Sequence, residues 1–174
     1  MNSNPGPQGG RAGANPSVGF VIPPELAALF DDYSSHHETL GNKATHIIGI
    51  PMILMTLLGM LSQLVIGDGF TGSDLIRLDG GLILWGLAVI WYLMLDWRLA
   101  LPFGMVALGL YFCGRHLSLE VQVAGFAVGW IIQFVGHGVF EKKRPAFLEN
   151  FRHLLIGPFW VFAQLLGVLK SPPR

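Results

Sequence analysis

Gln133, His137 and Glu141 close a long apolar stretch that runs straight into Lys142-Lys143-Arg144-Pro145. If that stretch is helical, the three fall at i, i+4 and i+8 and share one face. An amide, an imidazole and a carboxylate are costly to bury among hydrocarbon, so such a stripe marks either a functional site or a polar contact between helices. Gly136 and Gly138 flank His137 and remove side-chain bulk, which lets something approach closely. A second polar cluster, His36-His37-Glu38 through Asn42 to His46, stands near the other end of the chain. Asn42 and His46 are four apart and share a helix face; His37 joins them if the chain bends near Gly41. Imidazoles with amides and a carboxylate beside them suit a first-row transition metal, since nitrogen donors serve Zn, Cu, Fe and Ni alike. The pattern is not HExxH and no spacing in it is diagnostic. On these residues alone, metal binding and polar helix packing both stay open.

The elements that carry the clusters follow from composition. Of 174 residues, 52% are hydrophobic and 13% charged. Soluble domains carry roughly 25% charged residues, so this chain belongs to the integral membrane class, and its length suits one domain. A net charge of zero gives no support to a nucleic-acid partner. The lone Cys113 excludes an internal disulfide and leaves His, Asp, Glu or Asn to hold any metal. Residues 1–20, rich in Gly, Pro and Asn, read as a disordered tail without the apolar core of a signal peptide. Residues 21–174 read as a single membrane-embedded helical domain.

That domain is expected to be all-α, a multi-pass transmembrane bundle of four to five apolar segments behind a short N-terminal amphipathic helix. Pro23-Pro24-Glu25 opens the amphipathic helix, with Leu26, Leu29, Phe30 and Tyr33 on one side. The apolar runs are Ile47 to Ile66, Gly80 to Leu95, Leu99 to Cys113, Val121 to Gly136 and Leu154 to Leu169. Gly49 and Pro51 stand near the start of the first, where proline is tolerated. Asp96-Trp97-Arg98 marks a tight turn between the second and third. Gly125 and Gly129, four apart, allow close helix packing in the fourth. Gly157-Pro158 makes the fifth either a kinked span or a re-entrant segment. The five tryptophans fall mostly near run ends, as interfacial anchors often do, though ordinary packing explains any one of them. With a cytoplasmic N-terminus, Lys43, Arg98, Lys142, Lys143, Arg144 and Arg152 all lie inside and the acidic loop Asp68–Asp79 outside, as the positive-inside rule asks, while Lys170 and Arg174 go against it if the fifth run crosses and agree with it if that run is re-entrant. Both polar clusters then meet at one membrane face.

Two stretches, HxxxxNxxxHxxGxP (His37, Asn42, His46, Gly49, Pro51) and QFVGHGVFEKKRPA (Gln133 to Ala146), resemble the small membrane family of 2-hydroxy fatty acid dioxygenases. The resemblance covers about residues 30 to 169. It implies an Fe(II) enzyme of fatty acid α-oxidation that uses O2 to shorten a long-chain 2-hydroxy fatty acid by one carbon. Carried over by motif position, His37, His46 and His137 would be the iron ligands. Gln133, Asn42 and Glu141 would orient those ligands or the substrate. His36 is an alternative to its neighbour His37, while His116 and His153 match no motif position. His116 falls on the opposite membrane face and His153 is expected at the interface. A 2-hydroxy carboxylate is a natural bidentate ligand for iron, its head near Lys142–Arg144 and its acyl chain between helices. The resemblance places a eukaryotic member in the endoplasmic reticulum and a bacterial one in the inner membrane. A homo-oligomer is compatible with the sequence but not implied by it. The competing readings are a membrane metal-dependent hydrolase, which would work without oxygen, and a non-enzymatic scaffold or transporter. A diiron desaturase needs more histidines than the six present.

Overall fold

A computed structural model describes residues 21–67, 78–145, 147 and 150–169. The N-terminal tail, most of the acidic loop, Ala146, Lys170 and Arg174 lie outside the described residues. Among the described residues there are five α-helices: α1 (Pro24–Ser35), α2 (Leu40–Leu61), α3 (Gly80–Arg115), α4 (Leu119–Val135) and α5 (Arg152–Leu165). α4 continues directly into a π-helical turn, Gly136–Glu141. A two-stranded antiparallel pair, β1 (Val65–Gly67) and β2 (Leu78–Asp79), joins α2 to α3.

Among the described residues, three segments are long and apolar enough to cross a membrane: Leu40–Leu61, Gly80–Arg115 and Leu119–Glu141. The longest is folded on itself. Asp96 leaves helical geometry (φ −160°, ψ 105°), and its carboxylate accepts from the Arg98 backbone N–H and guanidinium. The Trp85 indole then donates to the Gly104 carbonyl at 2.9 Å. A straight helix would hold residues 85 and 104 about 28 Å apart. The Asp96–Arg98 turn expected from the sequence is therefore present, and α3 is an antiparallel helical hairpin. Each arm is short, near 24 Å for residues 80–95 at about 1.5 Å per residue.

Two sequence expectations change. Pro51 is not in the first turn, because α2 begins at Leu40 and carries the proline in its interior. Thr39 caps the helix and draws its start back through the polar cluster, its hydroxyl accepting from the Asn42 N–H. The chain bend that brings His37 in falls at residues 36–39, between α1 and α2, not at Gly41. Gly41 is helical and packed under the Phe140 ring.

The helices meet in two ways. α2 and α4 close on glycines: a β-carbon at Gly129 would lie 2.6 Å from Ile53 Cγ1, and one at Gly125 2.9 Å from Thr56 Cγ2. α1, α3 and α5 instead share an aromatic core of Phe30, Tyr33, Tyr92, Phe103, Phe159 and Trp160. Trp160 is wholly buried and donates to the Ser34 hydroxyl at 2.8 Å, so it is a packing residue and not an interfacial anchor. The Arg98 guanidinium at the α3 hairpin tip bonds the Val21 carbonyl, and Tyr92 bonds the Leu155 carbonyl. The tip, α1, the start of α2, the π-turn and α5 thus gather at one end of the bundle.

Candidate metal centre

The site is assembled from the 36–39 bend, the first turns of α2 and the π-turn after α4. His37 follows the end of α1. Its Nδ1 lies 2.6 Å from the Tyr33 carbonyl. A carbonyl only accepts, so Nδ1 carries the hydrogen and Nε2 is bare. The Tyr33 ring stacks on the imidazole with centroids 4.0 Å apart and planes 9° from parallel. Burial pushes the His37 imidazole down to about 3, with the His46 ring adding to the effect, so His37 is neutral. One turn into α2, His46 donates from its own Nδ1 to the Asn42 carbonyl at 2.8 Å, and its Nε2 is bare as well.

The two Nε2 atoms face each other at 3.0 Å. Two lone pairs at that distance repel unless something positive lies between them. His137 completes the trio: its ring centroid is 4.9 Å from each of the other two, and His37 and His46 are 4.4 Å apart. The three ring planes cross at 70–87°. All three histidines are buried, and one ligand atom from each lies within 4.8 Å of the others. His137 Nδ1 has no hydrogen-bond partner. First-row ions bind imidazole nitrogen at about 2.0–2.1 Å, so two nitrogens set at a right angle around one ion would be about 3 Å apart. Each of His37 and His46 already gives its other N–H to a carbonyl, as metal-bound histidines do. The donor set fits a transition-metal ion.

The remaining expected residues take separate places. Glu141 reaches the start of α2: Oε1 accepts from the Glu38 N–H at 3.0 Å, and Oε2 from the Thr39 N–H, the Thr39 hydroxyl and Asn42 Nδ2. The carboxylate thus caps the helix N-terminus, where negative charge is favoured, and does not face the imidazoles' open side. Asn42 is fully buried and links Glu141 to His46 through its own backbone carbonyl. Gln133 is buried against Gly49 of α2, its Nε2 without a partner. The π-turn replaces the α-helix the sequence suggests, yet Gln133, His137 and Glu141 stay buried. π-turns of this kind recur at functional sites. Gly136 is pressed against Thr45 and Asn42, while Gly138 meets nothing within 4 Å; only one of the two flanking glycines serves close approach.

The trio opens into a cavity of about 310 Å³. Ile50, Ile53, Leu54 and Leu57 continue the His46 face of α2 along its wall, with Phe126 and Trp130 of α4 opposite and Gly157 and Pro158 of α5 closing it. Gln133 also lines it. Lys142, Lys143 and Arg144 are exposed and none of them does. His36 is half-buried, outside the trio, its ring 5.6 Å from that of His153. His116 is exposed beyond α3. His153 departs from its expected interfacial place: it is buried, lines the cavity and pairs with Asp32 at 2.8 Å. Its partner is 121 residues away, so no local spacing signals it.

A family model described as 2-hydroxy-palmitic acid dioxygenase Mpo1-like matches residues 24–169. The chain is similar to the 2-hydroxy-palmitic acid dioxygenase MPO1 of Saccharomyces cerevisiae, 30% identical over 159 residues, 86% of this chain and 84% of the yeast protein. No solved structure matches it. The matched segment runs from the start of α1 past the end of α5 and includes every residue of the imidazole trio and its supports. On that extent of agreement, the chain belongs to the Mpo1-like family of 2-hydroxy-palmitic acid dioxygenases.

Proposed function

We propose that this protein is an Fe(II)-dependent dioxygenase that shortens long-chain 2-hydroxy fatty acids by one carbon. The observation that carries the reading is the pair of bare, opposed Nε2 atoms of His37 and His46 at 3.0 Å, with His137 beside them at the wall of an apolar cavity. Membership of the dioxygenase family selects among the reactions such a site could support. In the overall reaction the 2-hydroxy acid and O2 give the acid one carbon shorter, CO2 and water, which balances without a further reductant.

His37, His46 and His137 would hold the iron, and iron there would supply a place for O2 and for the oxygens of the 2-hydroxy acid. The chain does the rest. Tyr33 and Asn42 fix two ring orientations through backbone carbonyls, and Glu141 fixes Asn42. Gln133 offers an unpaired amide N–H to the head of the substrate. The α2 stripe from His46 to Leu57 extends about 16 Å and takes the acyl chain. Apolar walls exclude water from the head group.

We read the bundle as one multi-pass unit, residues 21–174. α2, the two α3 arms and α4 make four crossings, and α1 lies as an amphipathic helix at the surface. α5 spans about 21 Å, less than the ~30 Å hydrocarbon core, and enters without crossing. The N-terminus and the trio then face the cytoplasm, in the endoplasmic reticulum of a eukaryote or the inner membrane of a bacterium. The test is oxygen uptake by detergent-purified protein loaded anaerobically with Fe(II) and given 2-hydroxyhexadecanoate. Uptake that needs the metal, the 2-hydroxyl and His137, with pentadecanoate as product, is expected. A folded, iron-loaded protein that consumes no oxygen, or one equally active without O2, overturns the proposal.

A further inference from the structure

His153 lies on α5, apart from both sequence clusters, yet it is 6% exposed and lines the same cavity as the trio. Its Nε2 is 2.8 Å from Asp32 Oδ2 on α1. An ionised carboxylate only accepts, so Nε2 carries a hydrogen. Its Nδ1 is buried with no partner. With Nε2–H engaged by Asp32, Nδ1 is the ring nitrogen that can accept a hydrogen bond. Buried polar groups are normally satisfied.

A single side chain connects this acceptor to the imidazole trio. Tyr33 stacks on His37 at 4.0 Å and meets the His153 ring edge-on at 5.7 Å. His153 and the trio line one cavity, with Tyr33 in ring contact with His153 and with His37 of the trio. A 2-hydroxy carboxylate has two polar groups, and at neutral pH only its hydroxyl donates. We propose that His153 is a specificity-determining residue: its Nδ1 accepts the hydrogen bond of the substrate's 2-hydroxyl, and Asp32 is a positioning residue that fixes the ring. The inference rests on the proposed substrate class. It supplies a physical reason for rejecting unsubstituted fatty acids, because an acid without the hydroxyl leaves Nδ1 unpaired, and sites built around a substrate hydroxyl discriminate strongly against analogues lacking it.

The experiment is binding of 2-hydroxyhexadecanoate and of hexadecanoate to the Fe(II)-loaded protein under argon, where no turnover occurs. His153→Gln keeps an N–H that reaches Asp32 but has no acceptor at the Nδ1 place. Its preference for the hydroxy acid is expected to fall at least about tenfold, with affinity for hexadecanoate within about twofold of wild type. Asp32→Asn, whose carboxamide oxygen still accepts from Nε2–H, is expected to keep most of the preference. His153→Asn returns a carboxamide oxygen near the Nδ1 position and is expected to retain more of it than His153→Gln. Undiminished preference in His153→Gln overturns the inference, and so does an equal loss for both acids, which would make His153 a strut between α1 and α5. A wild-type protein with no preference overturns the functional reading along with it, so the two failures are distinguishable.

Discussion

The two ends of the bundle bury polar groups in opposite ways. At the far end, Asp79 Oδ1 accepts from the Leu82 N–H and caps α3. Tyr111 donates to Asp79 Oδ2 at 2.6 Å, and Gln122 Nε2 bonds the carbonyls of Gly114 and Leu117. At the near end the donors and acceptors do not close. Among the described residues, five buried side-chain nitrogen or oxygen atoms lack a partner. Asn42 Oδ1, Gln133 Nε2, His137 Nδ1 and His153 Nδ1 are at the near end, and Gln122 Oε1 alone is at the far end. The opposed Nε2 atoms belong with the near-end group. Satisfied networks fasten helices; a network held open by its own supports is arranged for something that arrives from outside. The far end is a fastening and the near end, on the proposed function, a receptor.

The strongest way to break this contrast is His46→Ala. Iron content should fall from about one per chain to background, and oxygen uptake with it. The metal-free variant should lose no more than about 1 kcal/mol of stability, since one of two mutually repelling lone pairs is gone and the site faces a cavity. Metal analysis and thermal unfolding in detergent measure both. A large loss of stability with iron retained would make His46 a packing residue. Excess Fe(II) should also stabilise the wild type, by about 2.7 kcal/mol at one hundred times Kd, and leave His46→Ala unmoved.

Glu141→Gln comes next. The carboxylate accepts four hydrogen bonds from the 38–42 segment, and a glutamine would turn an N–H toward some of those donors. Through Asn42 the disturbance reaches His46. Loss of an outer partner of this kind costs about 10–100-fold in metal affinity. If iron affinity holds while stability alone falls, Glu141 is a helix cap and nothing more, and the near end resembles the far end more closely than argued above.

These supports also show how much of the molecule the sequence made legible. His46 and His137 stand out because they sit beside apolar runs, where a polar residue needs a reason. The α3 hairpin is visible because Asp96-Trp97-Arg98 interrupts an otherwise continuous run. The bend at 36–39 was hidden, since its stabiliser, Glu141, lies about a hundred residues on. His153 was hidden for the same reason: it follows a basic connector that resembles an interface, and Asp32 is far away in sequence. Adjacent His36 and His37 differ only in which one the end of α1 turns inward. Pairings across the bundle leave no periodic trace, whereas positions along one helix do.

The far end predicts the converse behaviour at a smaller scale. Tyr111→Phe removes the hydrogen bond to Asp79 Oδ2 and the longer one that the Tyr111 hydroxyl accepts from Arg115. Hydrogen bonds between membrane helices are worth about 0.6 kcal/mol on average and at most about 1.7. A stability loss of about 1 kcal/mol is expected in thermal unfolding, with iron affinity and oxygen uptake unchanged. A Tyr111→Phe protein that folds normally yet loses iron would mean that the two ends communicate, and the division between fastening and receptor would fail.

The last contrast separates two glycines that the sequence treats alike. A β-carbon on Gly136 would run into Thr45 Oγ1 and Asn42 Oδ1, so Gly136→Ala should push the π-turn away from α2 and carry His137 out of register with His37 and His46. Gly138 is exposed and its β-carbon would meet nothing within 4 Å. Its backbone φ is not in the left-handed region, since Lys142 and Gly167 alone have positive φ among the described residues. Gly138→Ala should therefore bind iron as the wild type does and gain up to about 0.4–1 kcal/mol from a less flexible unfolded chain. Iron titration and thermal unfolding of the two variants side by side check the pair. Loss of iron in Gly138→Ala would mean that the turn must flex at that position to admit the metal, and that the trio's closeness is not built into the resting fold.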